Sequence, residues 1–414
     1  MLGFPARVYY CHWPCETWLI GQPCAPPTSA RSPVSARVFL GAPGEPEPRN
    51  HHLVSSPMPD PTSDQHPTPI SSTYEYAAQK QPVMEAVLVN TDPPPDRYWV
   101  HALLFLATVF TTLVVGAGMQ FSFQNNLASY SADPKAFLAF FPIEWVARQP
   151  SRLTLGIPFS AALLVILLCH EMGHYLYCRR YRVWATLPYF IPFLSLAGTM
   201  GAFIRIRSAI RSRAALFDIG IAGPIAGFVP ALVALFVGLG LSKHAPPPSV
   251  IIPDIEFGHP FIFSAAQHLL ARLTHAPVQL LPLEKVSLHP IAFAAWVGMV
   301  VTSLNLLPGG QLDGGHIIYA VFPRAHRLAT VLTVVALIPF GLQSVGWWIW
   351  SAVLLATGWR HPEVPRWPPL DSKRKVLALL AVVLLLVSIT PVPIKGFTAK
   401  DVFPRIFGKP SNEE

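Results

Sequence analysis

The residues most able to do chemistry are His170, Glu171 and His174, in the run His170-Glu171-Met172-Gly173-His174. On a helix, side chains four apart stack on one face, so both imidazoles can reach a single ion while Glu171 lies beside it. This is the zinc hydrolase arrangement. Two His and a carboxylate leave one coordination position open to water, the ion acidifies that water towards neutrality, and the neighbouring Glu takes its proton. The pentapeptide fixes few residues, and such a match also arises by chance. Its position adds weight, because it ends an unbroken apolar run from Phe159 to Cys169. Two His and a Glu at bilayer depth cost several kcal/mol unless they are paired or ligated.

The pentapeptide supplies two metal ligands, and Asp313 is the acid expected to supply the third. It lies in the segment from Thr302 to His316, which includes Asn305, Pro308, Leu312 and Gly314 and follows a second apolar stretch, Pro290 to Val301. Flanking glycines let backbone approach closely at a helix break. In a soluble protein, Leu-Asp-Gly would read as a surface turn with Asp at a helix start. The two readings are compatible.

With both motifs in view, His-Glu-x-x-His on one segment and Asn-x-x-Pro-x-x-x-Leu-Asp-Gly on a later one, the chain resembles the site-2 protease family of intramembrane zinc metalloproteases. The match is complete at His170, Glu171, His174, Asn305, Pro308, Leu312, Asp313 and Gly314, and the similarity spans about Arg97 to Pro393. Leu288-His289-Pro290 and Gly223-Pro224-Ile225-Ala226-Gly227 are similar to the branch found in bacteria and plastids. The resemblance implies that His170, His174 and Asp313 bind Zn2+, that Glu171 activates water, and that Asn305 helps hold the substrate backbone. Asn305 has a second reading, since an Asn in a membrane helix also serves to hydrogen-bond a neighbouring helix. His316 reads as a partner outside the ligand set and His289 as an interfacial histidine at a helix start. Arg205 and Arg207 alternate with apolar residues between Gly201 and Ser208, a period-two pattern that fits a hairpin strand. The resemblance implies a re-entrant loop there, against whose edge an unwound substrate could add as a strand.

The elements that must position these residues are apolar helices. The chain has 414 residues, 52% hydrophobic and 13% charged, which excludes an ordinary soluble fold. The expected fold is an all-α polytopic membrane protein with about seven transmembrane helices and a short re-entrant β-hairpin-like element near 187–200. Spans are expected near 99–120, 153–177, 214–241, 290–307, 327–342, 345–358 and 376–391. Residues 327–358 read either as two short helices joined by a tight turn or as one kinked element. Arginines cluster at 179, 180, 182, 205, 207, 211 and 213, which marks that side as cytoplasmic. Alternation then puts the 243–289 loop outside, the amino terminus inside, the carboxyl terminus outside and both motifs near the cytoplasmic ends of their helices. The loop is too short for an inserted PDZ-like domain. The net charge of +8 flanks apolar spans and forms no motif for base or phosphate readout, so topology and anionic lipid explain it and no nucleic-acid partner is expected.

Residues 1–97 are rich in Pro, Ser and His without periodicity and read as a disordered region, 98–393 as the metalloprotease domain and 394–414 as a short polar tail. Cys11, Cys15 and Cys24 lack metal-finger spacing, and Cys169 and Cys178 read as small apolar packers, so no disulfide framework is implied. An organellar transit peptide and a start at Met84, which would place 1–83 outside the native protein, are both compatible with the opening residues. The expected setting is a bacterial inner membrane with the active site near the cytoplasmic side, a plastid membrane being the alternative. The expected function is cleavage of membrane-protein substrates within or near their transmembrane segments, in regulated proteolysis after a first trimming cut. The competing class is a non-proteolytic membrane protein, either a transporter or a protease-like binding partner. Intact Glu171 argues against the latter, and the lack of internal repeats against the former.

Overall fold

The computed structural model describes residues 97–127, 141–245, 256–275, 277–357, 361–365, 369–395 and 398–399. The disorder expected for 1–97, the three cysteines there and most of the expected polar tail therefore lie outside the described residues.

The apolar runs fold as helices: α1 (Tyr98–Gln124), a short α2 (Ile143–Ala147), and a 3-10 turn (Pro150–Gly156) leading into α3 (Ile157–Arg180). A hairpin of β1 (Tyr189–Pro192) and β2 (Thr199–Phe203) precedes α4 (Arg213–Leu241), and β3 (Lys243–His244) precedes α5 (Phe261–Thr274) and β4 (Val286–Ser287). Then come α6 (Pro290–Asn305), α7 (Asp313–Val321), α8 (His326–Gln343), α9 (Gly346–Thr357) and α10 (Ser372–Ser388). Local chemistry sets several starts. The Ser212 hydroxyl accepts from the Ala215 amide at 3.1 Å to open α4, and His289 Nδ1 accepts from the Ile291 amide to open α6 with Pro290 in its first turn.

Each expected span coincides with a helix, but among the described residues four stretches are long and apolar enough to cross a membrane: Tyr98–Gln124, Pro150–Arg180, Arg213–Leu241 and His326–Gln343. Helices α6, α9 and α10 have 16, 12 and 17 residues, short of the roughly 20 needed for a hydrocarbon core of about 30 Å. Two of them are cut by their own sequence. The Asn305–Pro308 turn ends α6, and Ser344 separates α8 from α9, so residues 327–358 form two helices.

Helices α3, α4 and α6 make the centre, packing fully buried Phe159, Leu163, Leu235, Leu239 and Met299 together. Outward faces stay apolar, as at Leu106, Val229, Val233 and Leu328. Hydrocarbon tolerates such faces, whereas water would not.

The hairpin expected from the period-two pattern is present. Tyr189 pairs with Phe203 and Phe190 with Ala202, and an irregularity precedes the Pro192–Thr199 pair. The pairing continues outward to an Ala185–Ile206 bridge. β1 rests on α1, where His101 Nδ1 donates to the Pro188 carbonyl at 3.1 Å and Phe105 meets Phe190 edge to face.

Charge ties distant segments at each end. Arg374 at the start of α10 donates from Nε and Nη2 to Asp218 in the first turns of α4, at 2.8 and 2.6 Å, and the Tyr181 hydroxyl beside the end of α3 donates to the same carboxylate. At the opposite end of α4, Ser242 Oγ accepts from the His289 amide, β3 pairs with β4, and Lys395 meets Glu256 at 3.2 Å. The basic segments 179–213 and 373–375 thus share one end, as the charge pattern requires.

Candidate metal centre

α3 runs antiparallel to α4, and its two histidines pack closely against glycines of α4. A Cβ on Gly223 would stand 2.0 Å from His174 Nε2, and one on Gly227 would stand 2.9 Å from His170 Cβ. Spacings of four on both helices are therefore matched, His170 to Gly227 and His174 to Gly223. Gly173 brings the helices this close, since a Cβ there would lie 2.5 Å from the Ala222 carbonyl oxygen.

His174 Nδ1 lies 2.7 Å from the Ile219 carbonyl on α4. A carbonyl only accepts, so Nδ1 carries the hydrogen and the neutral ring turns the Nε2 lone pair inward. Nε2 of His170 stands 3.2 Å from that atom. Asp313 completes the cluster from the first residue of α7, its Oδ2 3.3 Å from each Nε2. This helix start does not use Asp313 as a cap: Leu312 holds that position without a side-chain bond. The turn before it closes through Gly310, at φ +58°, and a Cβ on Gly314 would strike the Leu306 carbonyl at 2.2 Å.

His170, Glu171 and His174 are all buried, between 4% and 6% exposed, and Asp313 Oδ2 is a buried oxygen without a hydrogen-bond partner. Three electron-pair donors thus face one another with too few hydrogens to share, an arrangement that calls for a cation. Their spacing fits one. Tetrahedral ligands at about 2.0–2.1 Å from zinc stand roughly 3.3 Å apart, which is the separation found at every edge of the triangle. Among the described residues this is the one group of three or more His, Cys, Asp or Glu side chains able to hold a metal ion.

Glu171 leaves the triangle on its hairpin side, facing the backbone of Ile204. Asn305, at the last residue of α6, places Nδ2 3.2 Å from His170 Nε2. That nitrogen has a single lone pair, which either accepts from Asn305 or binds an ion, so the contact by itself favours neither reading of Asn305. His316 lies one turn past Asp313 and bonds His361, outside the triangle. His289 caps α6 and touches Phe123, in contacts separate from the cluster. Cys178 is buried with Val183 and Ile219, the packing role expected of it.

Sequence reasoning did not assign roles to the Ile219 carbonyl, the Asp218–Arg374 pair or His361. The first is a backbone atom and leaves no residue signal. The glycine cradle did leave one, in the i, i+4 spacing of Gly223 and Gly227.

Residues 158–342 match the model of peptidase family M50. The chain is 29% identical over 335 residues to a probable chloroplastic zinc metalloprotease, EGY1, of Oryza sativa subsp. japonica, covering 75% of this chain and 54% of the relative. The Arabidopsis thaliana protein of that name is 28% identical over 75% of this chain and 56% of its own length. A third relative, the probable zinc metalloprotease EGY2 of Arabidopsis thaliana, is 29% identical over 59% of this chain and 43% of its own. The chain spans about half the length of the curated relatives it matches. The paired motifs and the geometry that joins them lie within residues 158–342, the stretch of this chain that is similar to peptidase family M50.

Proposed function

We propose that this chain is a zinc endopeptidase that hydrolyses peptide bonds within or beside the membrane-spanning segments of other membrane proteins. The observation that carries the reading is the triangle of His170, His174 and Asp313, closed at 3.2–3.3 Å with Glu171 at its side and set among helices apolar enough to span a membrane. The names of the relatives, zinc metalloproteases, support both metal and activity. When bound, zinc supplies Lewis acidity, which lowers the pKa of water and withdraws electrons from a carbonyl.

The chain's own groups do the rest. His170, His174 and Asp313 hold the ion, and the Ile219 carbonyl holds His174 in the ligating tautomer. Glu171, beside the Ile204 backbone, takes a proton from the attacking water and delivers it to the departing amide nitrogen as the C–N bond breaks. Asn305 offers an amide that can donate to and accept from substrate backbone.

A helical substrate must unwind before its carbonyls can be attacked, and its freed backbone groups then need partners. β2 pairs with β1 on one edge and with no other strand among the described residues. Its chain continues directly to Ile204, so a peptide added along the open edge runs past Glu171. Proline at Ile204 removes a backbone amide beside Glu171, and unaltered cleavage by Ile204→Pro would refute strand addition.

In this reading the chain has about seven spans, with the zinc motifs near the cytoplasmic ends of their helices. The substrate is a membrane protein trimmed beforehand and cut in regulated proteolysis. The chloroplastic names of the relatives favour a plastid membrane over a bacterial inner membrane. The decisive experiment compares reconstituted wild type with Glu171→Gln on a model membrane-spanning substrate. Both should hold metal and only wild type should cleave. Metal with no Glu171-dependent cleavage would shift the reading to transport or binding.

A further inference from the structure

Residues 361–364 are fastened to α7 by contacts that hydrolysis as described does not use. His316 sits one turn after Asp313, its Cβ 3.2 Å from where a Cβ of Gly220 on α4 would lie, and the Asp313 carbonyl faces the same point at 3.5 Å. The seam between α7 and α4 is therefore shared by His316 and Asp313, one residue from the Ile219 carbonyl that holds His174. His316 Nδ1 is 2.7 Å from His361 Nε2. Tyr319, the next turn along, stacks on the His361 ring at 4.1 Å and 19°, and its hydroxyl accepts from the Val364 amide at 3.3 Å. His326, opening α8, meets both rings edge-on and donates from Nε2 to the Gly310 carbonyl, in the turn leading to Asp313, at 3.0 Å.

The hydrogen bonds have a fixed direction. His361 Nδ1 stands 2.7 Å from the Pro362 carbonyl, which only accepts, so Nδ1 carries the hydrogen and Nε2 of the neutral ring is an acceptor. His316 consequently donates from Nδ1. The run from Pro362 through His361 to His316 sets both the tautomer and the ring plane of His316.

We propose that His361 is a positioning residue for the metal centre: by accepting from His316 it locks α7 against α4 and holds the Asp313 carboxylate at its reach from the two imidazoles. This inference rests on the metal reading given above. An acceptor at position 361 is what matters, rather than a ring. His361→Gln can still accept through its side-chain carbonyl, whereas His361→Phe keeps the stack on Tyr319 and loses the acceptor.

The test uses full-length protein in detergent, loaded with Co2+ as a spectroscopic probe and with Zn2+ for release to a chelator. His361→Phe should release zinc about 10–100-fold faster than wild type, the range for losing an outer partner of a metal site, and should alter the Co2+ visible absorption. His361→Gln should stay within about 3-fold of wild type, and Trp296→Phe, which loses its bond to the Gly258 carbonyl in a separate cluster, should leave release unchanged at a similar loss of thermal stability. Tyr319→Phe, which keeps the stack, gives a milder second variant with the same direction of change. If His361→Phe matches wild type in release and spectrum, or if Phe and Gln variants are equally impaired, the proposal is overturned. A wild-type protein with no Co2+ band would overturn the metal reading itself and the role of His361 with it.

Discussion

Adding one methyl group at Gly223 should empty the metal centre while leaving the fold intact. A Cβ at this position falls 2.0 Å from His174 Nε2, 2.4 Å from Cε1 and 2.5 Å from Cδ2. Ordinary contact begins near 3.4 Å, so the ring nitrogen must retreat by about 1.4 Å, far beyond the tolerance of about 0.2 Å on a metal–ligand distance. α4 cannot yield instead without parting from α3 at Gly173, which moves the ligand as far. The expected loss of zinc affinity exceeds the about 100-fold typical of losing an outer partner. Stability behaves differently. Gly to Ala inside a helix gains about 0.5–1 kcal/mol, while parting the buried His174–Ile219 pair costs about 1–3 kcal/mol and the overpacking about 1–3 kcal/mol, so the metal-free Tm should fall by several degrees with folding retained. The series has an internal scale: Gly227→Ala, whose Cβ would meet His170 Cβ at 2.9 Å, should weaken binding less, and Gly240→Ala, with nothing within 4 Å, should not weaken it. Zinc per chain by mass spectrometry after equilibration with a chelator reads the order. Full zinc occupancy in Gly223→Ala at wild-type affinity would refute the packing of His174 on α4.

Three further outcomes follow from the same geometry. Glu171→Gln should keep its zinc and lose on the order of 10²–10⁴ in cleavage rate, the usual worth of a general base, read with a labelled transmembrane peptide in liposomes. Asn305→Leu separates the two readings of that residue: a substrate-holding amide predicts intact metal and Tm with reduced cleavage, and a helix–helix bond predicts a loss of about 0.5–1.5 kcal/mol in stability with cleavage per folded molecule unchanged. Arg374→Met strips a forked donor from Asp218, which is 12% exposed, and should destabilise by roughly 1–3 kcal/mol, seen as a lower Tm with zinc content unaltered.

The chemistry was more legible than the architecture because it is written in side chains. His170, His174 and Asp313 lie on two segments separated by more than a hundred residues, yet each carries an unusual pattern inside an apolar stretch, and a divalent cation explains both at once. The hairpin was legible in part: the alternation around Arg205 and Arg207 is unlike the helices beside it, but β2 spans Thr199–Phe203 and ends before both arginines, beyond which the pairing continues as the isolated Ala185–Ile206 bridge. Span number was less so. Apolar runs at 290–307, 345–358 and 376–391 fixed where helices form, while the breaks at Ser344 and after Asn305 set their lengths, and hydropathy averaged over a span-length window passes over such short breaks. What holds the ligands in place was the least visible part. The Ile219 carbonyl belongs to the backbone, and the His316–His361 bond joins residues 45 apart that no local period relates. Gly223 and Gly227 mark the middle ground, because their spacing of four mirrors that of the histidines, a correspondence that gains meaning only once α3 and α4 are known to run antiparallel.

The central claim, that one zinc ion is shared by His170, His174 and Asp313, is tested most directly by zinc K-edge X-ray absorption on the purified protein and its Asp313→Ala variant. The account predicts one zinc per chain, with two imidazoles and a carboxylate oxygen at about 2.0–2.1 Å, and loss of zinc or of the oxygen shell in the variant. A zinc site whose occupancy and spectrum survive Asp313→Ala unchanged would contradict it.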